Sequence, residues 1–435
     1  MAYQPPSANN TRDTKRVTPI IEESQMHVFR QMHREPELVR FNKHCKEDYY
    51  TPKMVSFGPY YHGLPELCMA EELKRKVLED FVSSRCQELF YSQISEVIEQ
   101  IRNCYVGDST NAYDDRALAE MMLLDASFAI YIMKIELGYR ETFEHSRQHL
   151  GIAATPFVSE DLILFENQIP LSAIKLLCEL MHGNECTLIY KFLSFFAFKN
   201  NRPIRRIPGE DEGQPLHLLD AYYRLLVIEV DNAGEEPFNR CQWWSCRREN
   251  PNESGEYNRQ CRSVTDLKAK GIHFKPSSYC LNNIKFNSYT FYGQLQLPVL
   301  FFHANSKLRF MQMIEHEMTL ENEYNFTILC YVNFLKSLIV KSEDVKELRE
   351  KEILFSDLDS DEQIVEVIKG IDNRRLETDF IFDEVKTKIE KHCSSKAKTW
   401  IAELTHTWTS IALLAASFLL CLTFLQTYYT MNPPK

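Results

Sequence analysis

A histidine follows two tyrosines in the segment FGPYYHG at positions 57–63. The Gly-Pro pair favours a tight turn, which could present Tyr60, Tyr61 and His62 on one surface. Histidine transfers protons near neutral pH and tyrosine supplies contact area, so these three are candidate interaction residues. A turn fixed by packing alone explains the same pattern, and the sequence leaves both interpretations open.

Two short patterns resemble parts of zinc sites. Cys241 and Cys246 are close in sequence, but structural zinc usually needs two such pairs, and the next cysteine, Cys261, stands alone. His316 lies between two glutamates as in a zincin helix, yet Leu320 occupies the position of the second histidine. We therefore predict no metal ligands, and we expect His316 on a solvated helix face.

Motifs for nucleophilic or nucleotide chemistry are missing from the sequence. No GxSxG elbow or known cysteine-protease signature occurs. The 13 glycines form neither a Walker loop nor a GxGxxG turn. The sequence thus predicts no catalytic residues and no cofactor, although a site assembled from distant residues would escape this test.

The charge of the chain argues against nucleic acid as a partner. Its formal net charge is −11, and its basic residues form no stripe interleaved with aromatic side chains. With 435 residues and 44% hydrophobic content, the chain can bury a large core. We expect a folded body that binds no DNA or RNA.

Apolar residues recur at intervals of three and four through most of the chain, which predicts a mainly helical fold. The segment 121–137 is apolar on all sides and is predicted to be a central core helix. Ile169-Pro170 divides the segment 161–180 into two predicted helices, with Asn167 and Gln168 satisfying backbone groups at the corner between them.

Strand patterns are confined to three segments, at 271–275, 284–292 and 294–302. They predict a small antiparallel sheet, with Gly293 at a turn or bulge. Pro298 cannot donate a ladder hydrogen bond, so it should lie at the edge or the end of its strand. The predicted fold class is therefore mainly α, with a small antiparallel β-sheet and a C-terminal transmembrane helix.

Composition divides the chain into four parts. Residues 1–18 are polar and predict a loose tail, and residues 19–395 form the globular domain. Within it, the turn-rich segment 231–260 predicts a surface insertion. The insertion contains Trp243 and Trp244, which are further candidate interaction residues. A membrane anchor at 400–428 and a short tail at 429–435 complete the predicted organisation.

The C-terminal run WTSIALLAASFLLCLTFL carries no charge, no Gly and no Pro. As a helix it would be about 27 Å long, close to the hydrocarbon thickness of a bilayer. We predict a single-pass membrane anchor with the lipid-facing residues Trp408, Ile411, Leu414, Phe418, Leu422 and Leu425.

Flanking charge predicts how this anchor is oriented. Four lysines precede the run and only Lys435 follows it, so the body should face the cytosol. The preceding lysines are Lys388, Lys391, Lys396 and Lys398. Thirteen cysteines without regular spacing agree with a reducing compartment, where most would be free and buried. The choice between plasma membrane and endomembrane stays open.

Several segments together resemble a plant family, the domain of unknown function 247, also called uncharacterised protein family 0481. The main carriers are YYTPKMVSFGPYYHG at 49–63, MMLLDASF at 121–128, DLILFENQIP at 161–170, LHLLDAYY at 216–223, SVTDLKAKGIHF at 263–274 and QLPVLFF at 296–302. The chain departs from the family at Tyr61, where a first histidine is common. The resemblance implies a C-terminally anchored, mainly helical protein without an assigned reaction, and some grass members are proposed self-incompatibility determinants.

Two functions fit these observations. The first is a membrane-anchored recognition or scaffold protein without catalytic activity, acting with a protein partner, for example in cell-cell recognition of the self-incompatibility type. The alternative is a tethered hydrolase or transferase whose site is built from dispersed residues. Exposed aromatic patches would favour recognition, whereas a deep pocket of titratable groups would favour an enzyme.

Overall fold

The computed structural model of the chain describes residue 32 and the ranges 49–106, 109–151, 153–183, 187–198, 213–228, 262–319, 326–372, 380–394 and 411–427. The predicted tail at 1–18 and the predicted insertion at 231–260, with Trp243 and Trp244, lie outside these residues. So does Trp408. Their predicted roles stay predictions.

The first half of the described chain is helical. Its helices are α1 (Cys68–Phe81), α2 (Ser84–Glu96), α3 (Ile98–Asn103), α4 (Asp115–Glu136), α5 (Arg140–His149), α6 (Thr155–Asp161), α7 (Leu171–His182), α8 (Leu188–Phe198) and α9 (Leu218–Val227). Several of these helices have a polar N-cap residue. Asp114, for example, accepts a hydrogen bond from the backbone N–H of Ala117 at 2.7 Å and so caps α4.

Helix α4 is the centre of this half. It packs against α1, α2, α5, α6, α7 and α8, so almost every side chain between Leu118 and Met133 is buried. A helix that is apolar on all sides needs such surroundings, because every face must be removed from water. The predicted central core helix is confirmed, and it begins a turn and a half earlier than the apolar run.

The corner before α7 differs from the prediction. Helix α6 ends at Asp161, and residues 162–170 form turns instead of a helix that reaches Pro170. The predicted role of the two amides is confirmed. The Asn167 side chain accepts from the N–H of Phe57 at 2.7 Å and donates to the carbonyl of Val55 at 2.9 Å. Gln168 donates to carbonyls within the turns, which satisfies backbone groups that no helix pairs.

The second half of the described chain combines helices with two small sheets. Its elements are α10 (Val264–Ala269), β1 (Ile272–Pro276), β2 (Lys285–Ser288), β3 (Gly293–Leu297), β4 (Leu300–Phe302), α11 (Ser306–Thr319), α12 (Thr327–Leu338), α13 (Ser342–Glu350), β5 (Leu354–Ser356), α14 (Asp361–Gly370) and α15 (Asp383–Ser394). Strand order in the three-stranded sheet is β1-β3-β2, and β4 pairs with β5 in a separate sheet.

The sheet is mixed, so the prediction of an antiparallel sheet is wrong. Strands β2 and β3 form an antiparallel hairpin, while β1 pairs with β3 in parallel. The hairpin occupies one edge of β3, which leaves the other edge for β1. Strand β3 ends at Leu297 because Pro298 cannot donate to the ladder, as predicted. Gly293 starts β3, and a Cβ there would lie 2.9 Å from the Phe286 ring.

The C-terminal apolar run differs from its prediction as a transmembrane helix. Among the described residues, no helix is both long and apolar enough to cross a membrane. Within the described part of the chain, this run is helical at residues 411–427. For the described residues, the prediction of a single-pass C-terminal transmembrane helix is therefore wrong, and the predicted membrane partner and membrane location, which rested on that helix, lose their support. The proposed anchor residues on this stretch are exposed: Ile411, Leu414, Phe418, Leu422 and Leu425.

Most described cysteines are free thiols. Four described cysteines that form no disulfide are buried, namely Cys104, Cys280, Cys330 and Cys393. Burial raises the pKa of the Cys104 thiol to about 12, which keeps it protonated and unreactive. Cys178 in α7 is disulfide-bonded and is an exception to the expectation of free thiols.

Candidate functional site

The FGPYYHG segment turns as expected, with Gly58 and Gly63 both at positive φ. It does not present its three candidate residues together. Tyr61 is buried and its hydroxyl hydrogen-bonds to the Glu166 carboxylate, while the Tyr60 hydroxyl donates to the carbonyl of Met32 at 2.6 Å. The turn thus uses both tyrosines to fix its own position.

His62 is partly accessible, with 28% of its side chain exposed. Its ring packs edge-on against Tyr113, with 5.7 Å between the ring centroids. Nδ1 lies 3.8 Å from Glu71 Oε2, which is too long for a hydrogen bond. Among the described residues, that nitrogen has no hydrogen-bond partner. An interaction role for His62 stays a prediction.

A buried network lies behind this turn. Lys74 on α1 is fully buried, and its Nζ donates to the Ser56 carbonyl at 2.6 Å, to Glu71 Oε1 at 2.6 Å and to Asp125 Oδ1 at 2.7 Å. The Gly58 N–H donates to the other Asp125 oxygen at 2.7 Å. These bonds use all three ammonium protons, so Lys74 is held as a bridge between the turn, α1 and α4.

The pKa values of the two carboxyl groups of this network are shifted in opposite directions. Burial raises the pKa of Asp125, with Lys74 opposing and Glu71 adding to the shift. Burial also acts to raise the pKa of Glu71, but the charge and hydrogen bond of Lys74 bring it below its ordinary value. Lys74 therefore offsets charge on both carboxyl groups, and the geometry of the network holds the turn.

His316 departs from the prediction of a solvated helix face. It is buried on α11 with Glu315 and Glu317, and its Nε2 lies 3.4 Å from Asp220 Oδ1 on α9. Burial lowers the pKa of the neighbouring His217 to about 3, and the charges of His316 and Arg224 add to this effect. Among the described residues, no three His, Cys, Asp or Glu side chains are arranged to hold a metal ion.

An open groove lies between β2 and α15, and we call it the strand–helix groove. It has a volume of about 480 Å³ and is lined by Phe286, Asn287, Ser288, Tyr289, Lys388, Lys391 and His392. Phe286 and His392 are buried and form its floor, whereas the other lining residues are exposed. From the sequence, Lys388 and Lys391 were interpreted as flanking charges that orient the predicted anchor. In the fold both line this groove.

Two of the lining side chains form a hydrogen bond that the sequence could not reveal. The Ser288 hydroxyl lies 2.9 Å from Nδ1 of His392, although 104 positions separate the two residues. The His392 ring also contacts Phe286 edge-on, with 5.6 Å between centroids. A serine hydroxyl next to an imidazole nitrogen is the arrangement from which a nucleophile and its base are made.

The turn between β2 and β3 carries three exposed aromatic residues, which we call the aromatic hairpin: Tyr289, Phe291 and Tyr292. Their exposed fractions are 43%, 66% and 38%. The rings of Tyr289 and Tyr292 stack with centroids 4.7 Å apart, and His273 packs edge-on against Tyr292. These aromatic residues are visible in the sequence as SYTFYG at 288–293. Their alternating pattern predicted that they belong to a strand, so the exposed turn was not recognised.

Comparison with known proteins finds relatives along most of the chain. The model of DUF247, described as plant protein of unknown function, matches residues 32–422. The putative UPF0481 protein At3g02645 of Arabidopsis thaliana is 23% identical over 88% of this chain and 87% of its own length. The UPF0481 protein At3g47200 of the same plant is 25% identical over 87% of this chain and 82% of its own length. No solved structure matches the chain.

Proposed function

The chain belongs to the DUF247 family of plant proteins of unknown function, and from this premise we propose that it is a recognition or scaffold protein without catalytic activity. Its contact surface is the aromatic hairpin, and its ligand is another protein. The observation that carries the proposal is the exposure of Tyr289, Phe291 and Tyr292 on a single turn.

Exposed aromatic side chains grouped in this way favour a protein contact. Aromatic residues are enriched at the centres of protein interfaces, where a few of them supply most of the binding energy. The stack of Tyr289 on Tyr292 restricts both rings before a partner arrives. Less side-chain entropy is therefore lost on binding, which favours affinity.

The buried polar residues support a binding role more than a catalytic one. Lys74, Glu71 and Asp125 bond to one another and to backbone groups, so they serve the fold. The cavity beside Arg309 and Tyr222 has a volume of only about 40 Å³, far below the several hundred Å³ of ordinary ligand sites.

The proposal is tested by proximity labelling in plant cells with the full-length protein and two triple variants. One variant replaces Tyr289, Phe291 and Tyr292 with alanine. The matched control replaces three exposed aromatic residues elsewhere, Tyr139, Phe157 and Phe355. We expect the hairpin variant to lose a defined subset of labelled proteins that the wild type and the control retain. Unchanged labelling by a folded hairpin variant would overturn the proposal.

Ser288 and His392 favour a second candidate, a hydrolase or acyltransferase. In such an enzyme the serine Oγ would attack the substrate while its proton passes to Nδ1 of His392, 2.9 Å away. A fluorophosphonate probe tests this, because Oγ would form a bond to phosphorus as fluoride leaves. Covalent labelling of the wild type that is absent in Ser288→Ala would establish the enzyme. Equal or no labelling of both would exclude this serine as a nucleophile.

A further inference from the structure

We propose that the strand–helix groove binds an extended acidic peptide segment, with its carboxylates at Lys388 and Lys391 and an apolar side chain on Tyr289. This inference rests on the proposed recognition function and names the chemistry of the partner segment. It is carried by the shape of the groove, the charge of its walls and its continuity with the aromatic hairpin.

The shape of the groove suits an extended chain. Strand β2 lies at the edge of the three-stranded sheet and has no strand on its outer side among the described residues. Phe286 and Ser288 both contact His392, so α15 covers the face of β2 instead of replacing a neighbouring strand. At about 3.3 Å per residue, β2 offers roughly 13 Å of edge, and a groove between an edge strand and a helix accepts a peptide as an added strand.

The charge of the groove selects for acidic residues. Of its seven lining residues, two are lysines and none is acidic, although the whole chain has a net charge of −11. At physiological salt, charges more than about 8 Å apart are largely screened, so the local sign determines which peptide binds. The groove is thus an electropositive site on an acidic protein.

Both lysines are available to a ligand. Lys391 makes no salt bridge within the described part of the chain, and its side chain is exposed. Lys388 pairs with Glu384 at 2.6 Å, but both side chains are more than half exposed. A pair of this kind contributes little to stability, so a peptide carboxylate can replace Glu384 or share the ammonium group with it.

Tyr289 connects the groove to the aromatic hairpin. Its side chain lines the groove and also stacks on Tyr292. A peptide that follows β2 therefore reaches the exposed aromatic rings as it leaves the two lysines. The best ligand combines acidic residues with a neighbouring aromatic or large aliphatic residue, since charge alone would leave these rings unused.

The experiment is selection from a random peptide display library on the immobilised full-length protein. Three forms are compared: the wild type, Lys388→Glu/Lys391→Glu, and the control Lys346→Glu/Lys351→Glu, which changes the same charge at two exposed lysines elsewhere. We expect the wild type and the control to enrich peptides with Asp or Glu beside an apolar residue. The groove variant should lose this enrichment and favour Lys and Arg.

The affinity of the most enriched acidic peptide is then measured by fluorescence anisotropy. We expect Lys388→Glu/Lys391→Glu to weaken binding roughly tenfold or more, and the milder Lys388→Gln/Lys391→Gln to weaken it less. Added salt should weaken binding to the wild type. Enrichment without acidic residues, or equal affinity for the wild type and both groove variants, would overturn the inference.

The labelling experiment separates failure of this inference from failure of the proposed function. Loss of partners in the aromatic-hairpin variant, combined with no acidic selection by the groove, rejects only the acidic peptide. Unchanged partners in the aromatic-hairpin variant reject the recognition function that the inference needs.

Discussion

Lys74 on α1 and Asp125 on α4 form a fully buried ion pair, with 2.7 Å between Nζ and Oδ1. The pair explains how a helix that is apolar on all sides tolerates a carboxylate at its centre. It also explains the position of the FGPYYHG segment, because Asp125 accepts the N–H of Gly58 and Lys74 donates to the carbonyl of Ser56.

The first prediction concerns loss of this lysine. Lys74→Met leaves Asp125 and Glu71 buried without their cation, so the free energy of unfolding should fall by about 3–5 kcal/mol. Urea unfolding followed by circular dichroism measures it. The control Lys346→Met removes an exposed lysine and should change stability by less than about 0.5 kcal/mol. Equal effects of the two variants would contradict a stabilising bridge.

The second prediction compares two glycines of the same segment. Gly58 and Gly63 have φ of 74° and 81°, so alanine is strained at both positions. An added Cβ at Gly58 would lie 2.5 Å from the backbone oxygen of Gln168, whereas at Gly63 nothing lies within 4 Å. Gly63→Ala should therefore cost about 1–2 kcal/mol of strain, and Gly58→Ala should cost clearly more.

Urea unfolding of both alanine variants checks this difference. A similar loss of stability at the two glycines would mean that the backbone conformation, rather than the close contact with Gln168, accounts for the glycine at position 58.

Local structure was largely predictable from the sequence. The run at 121–137 that is apolar on all sides identified α4, and the amides of Asn167 and Gln168 were correctly assigned to backbone groups at a corner. Pro298 marked the end of its strand because the missing N–H acts at that residue itself. Each of these features depends on neighbours close in the chain, which a single sequence displays.

Long-range features were not predictable. The two glutamates beside His316 predicted a solvated helix face. In the fold α9 packs against this face, where Asp220 lies beside His316 and the Tyr223 hydroxyl donates to Glu317. Nothing in the spacing indicates that β1 pairs in parallel with β3, or that Ser288 meets His392 across 104 positions. The candidate groove was missed for this reason, since its two walls come from β2 and α15.

The third prediction concerns a buried arginine. Arg309 on α11 forms a two-pronged contact with Glu160, Nη2 to Oε1 at 2.6 Å and Nε to Oε2 at 3.0 Å, and its guanidinium stacks over the Phe196 ring at 3.5 Å. Lysine has neither the planar fork nor the stacking surface. Arg309→Lys should therefore lower the free energy of unfolding by about 2–4 kcal/mol.

The matched control for this variant is Arg147→Lys. Arg147 pairs with Glu144 at 3.2 Å, and both side chains are 54% exposed. Exposed pairs contribute little, so urea unfolding should show a change below about 0.5 kcal/mol. If the two substitutions cost the same, the planar contact with Glu160 would have no special role in stability.

The fourth prediction concerns pH. Glu317 on α11 is buried and accepts hydrogen bonds from the N–H groups of Ile328 and Leu329 in the first turn of α12, and from the Tyr223 hydroxyl. Burial raises its pKa from 4.5 to about 7, although these hydrogen bonds oppose the shift. The folded protein therefore holds a proton on Glu317 at pH values where the unfolded chain has released it.

The sign of the effect follows from this difference. The stability contributed by protonated Glu317 is complete below about pH 4.5 and is lost as pH rises through about 7. Glu317→Gln stays neutral and lacks this dependence, although it weakens the cap of α12 at every pH. Relative to the wild type, the variant should gain roughly 1–3 kcal/mol between pH 5 and pH 8. Urea unfolding at several pH values measures the difference, and the exposed Glu343→Gln is the control. A constant difference between wild type and Glu317→Gln across this range would show that Glu317 does not titrate there.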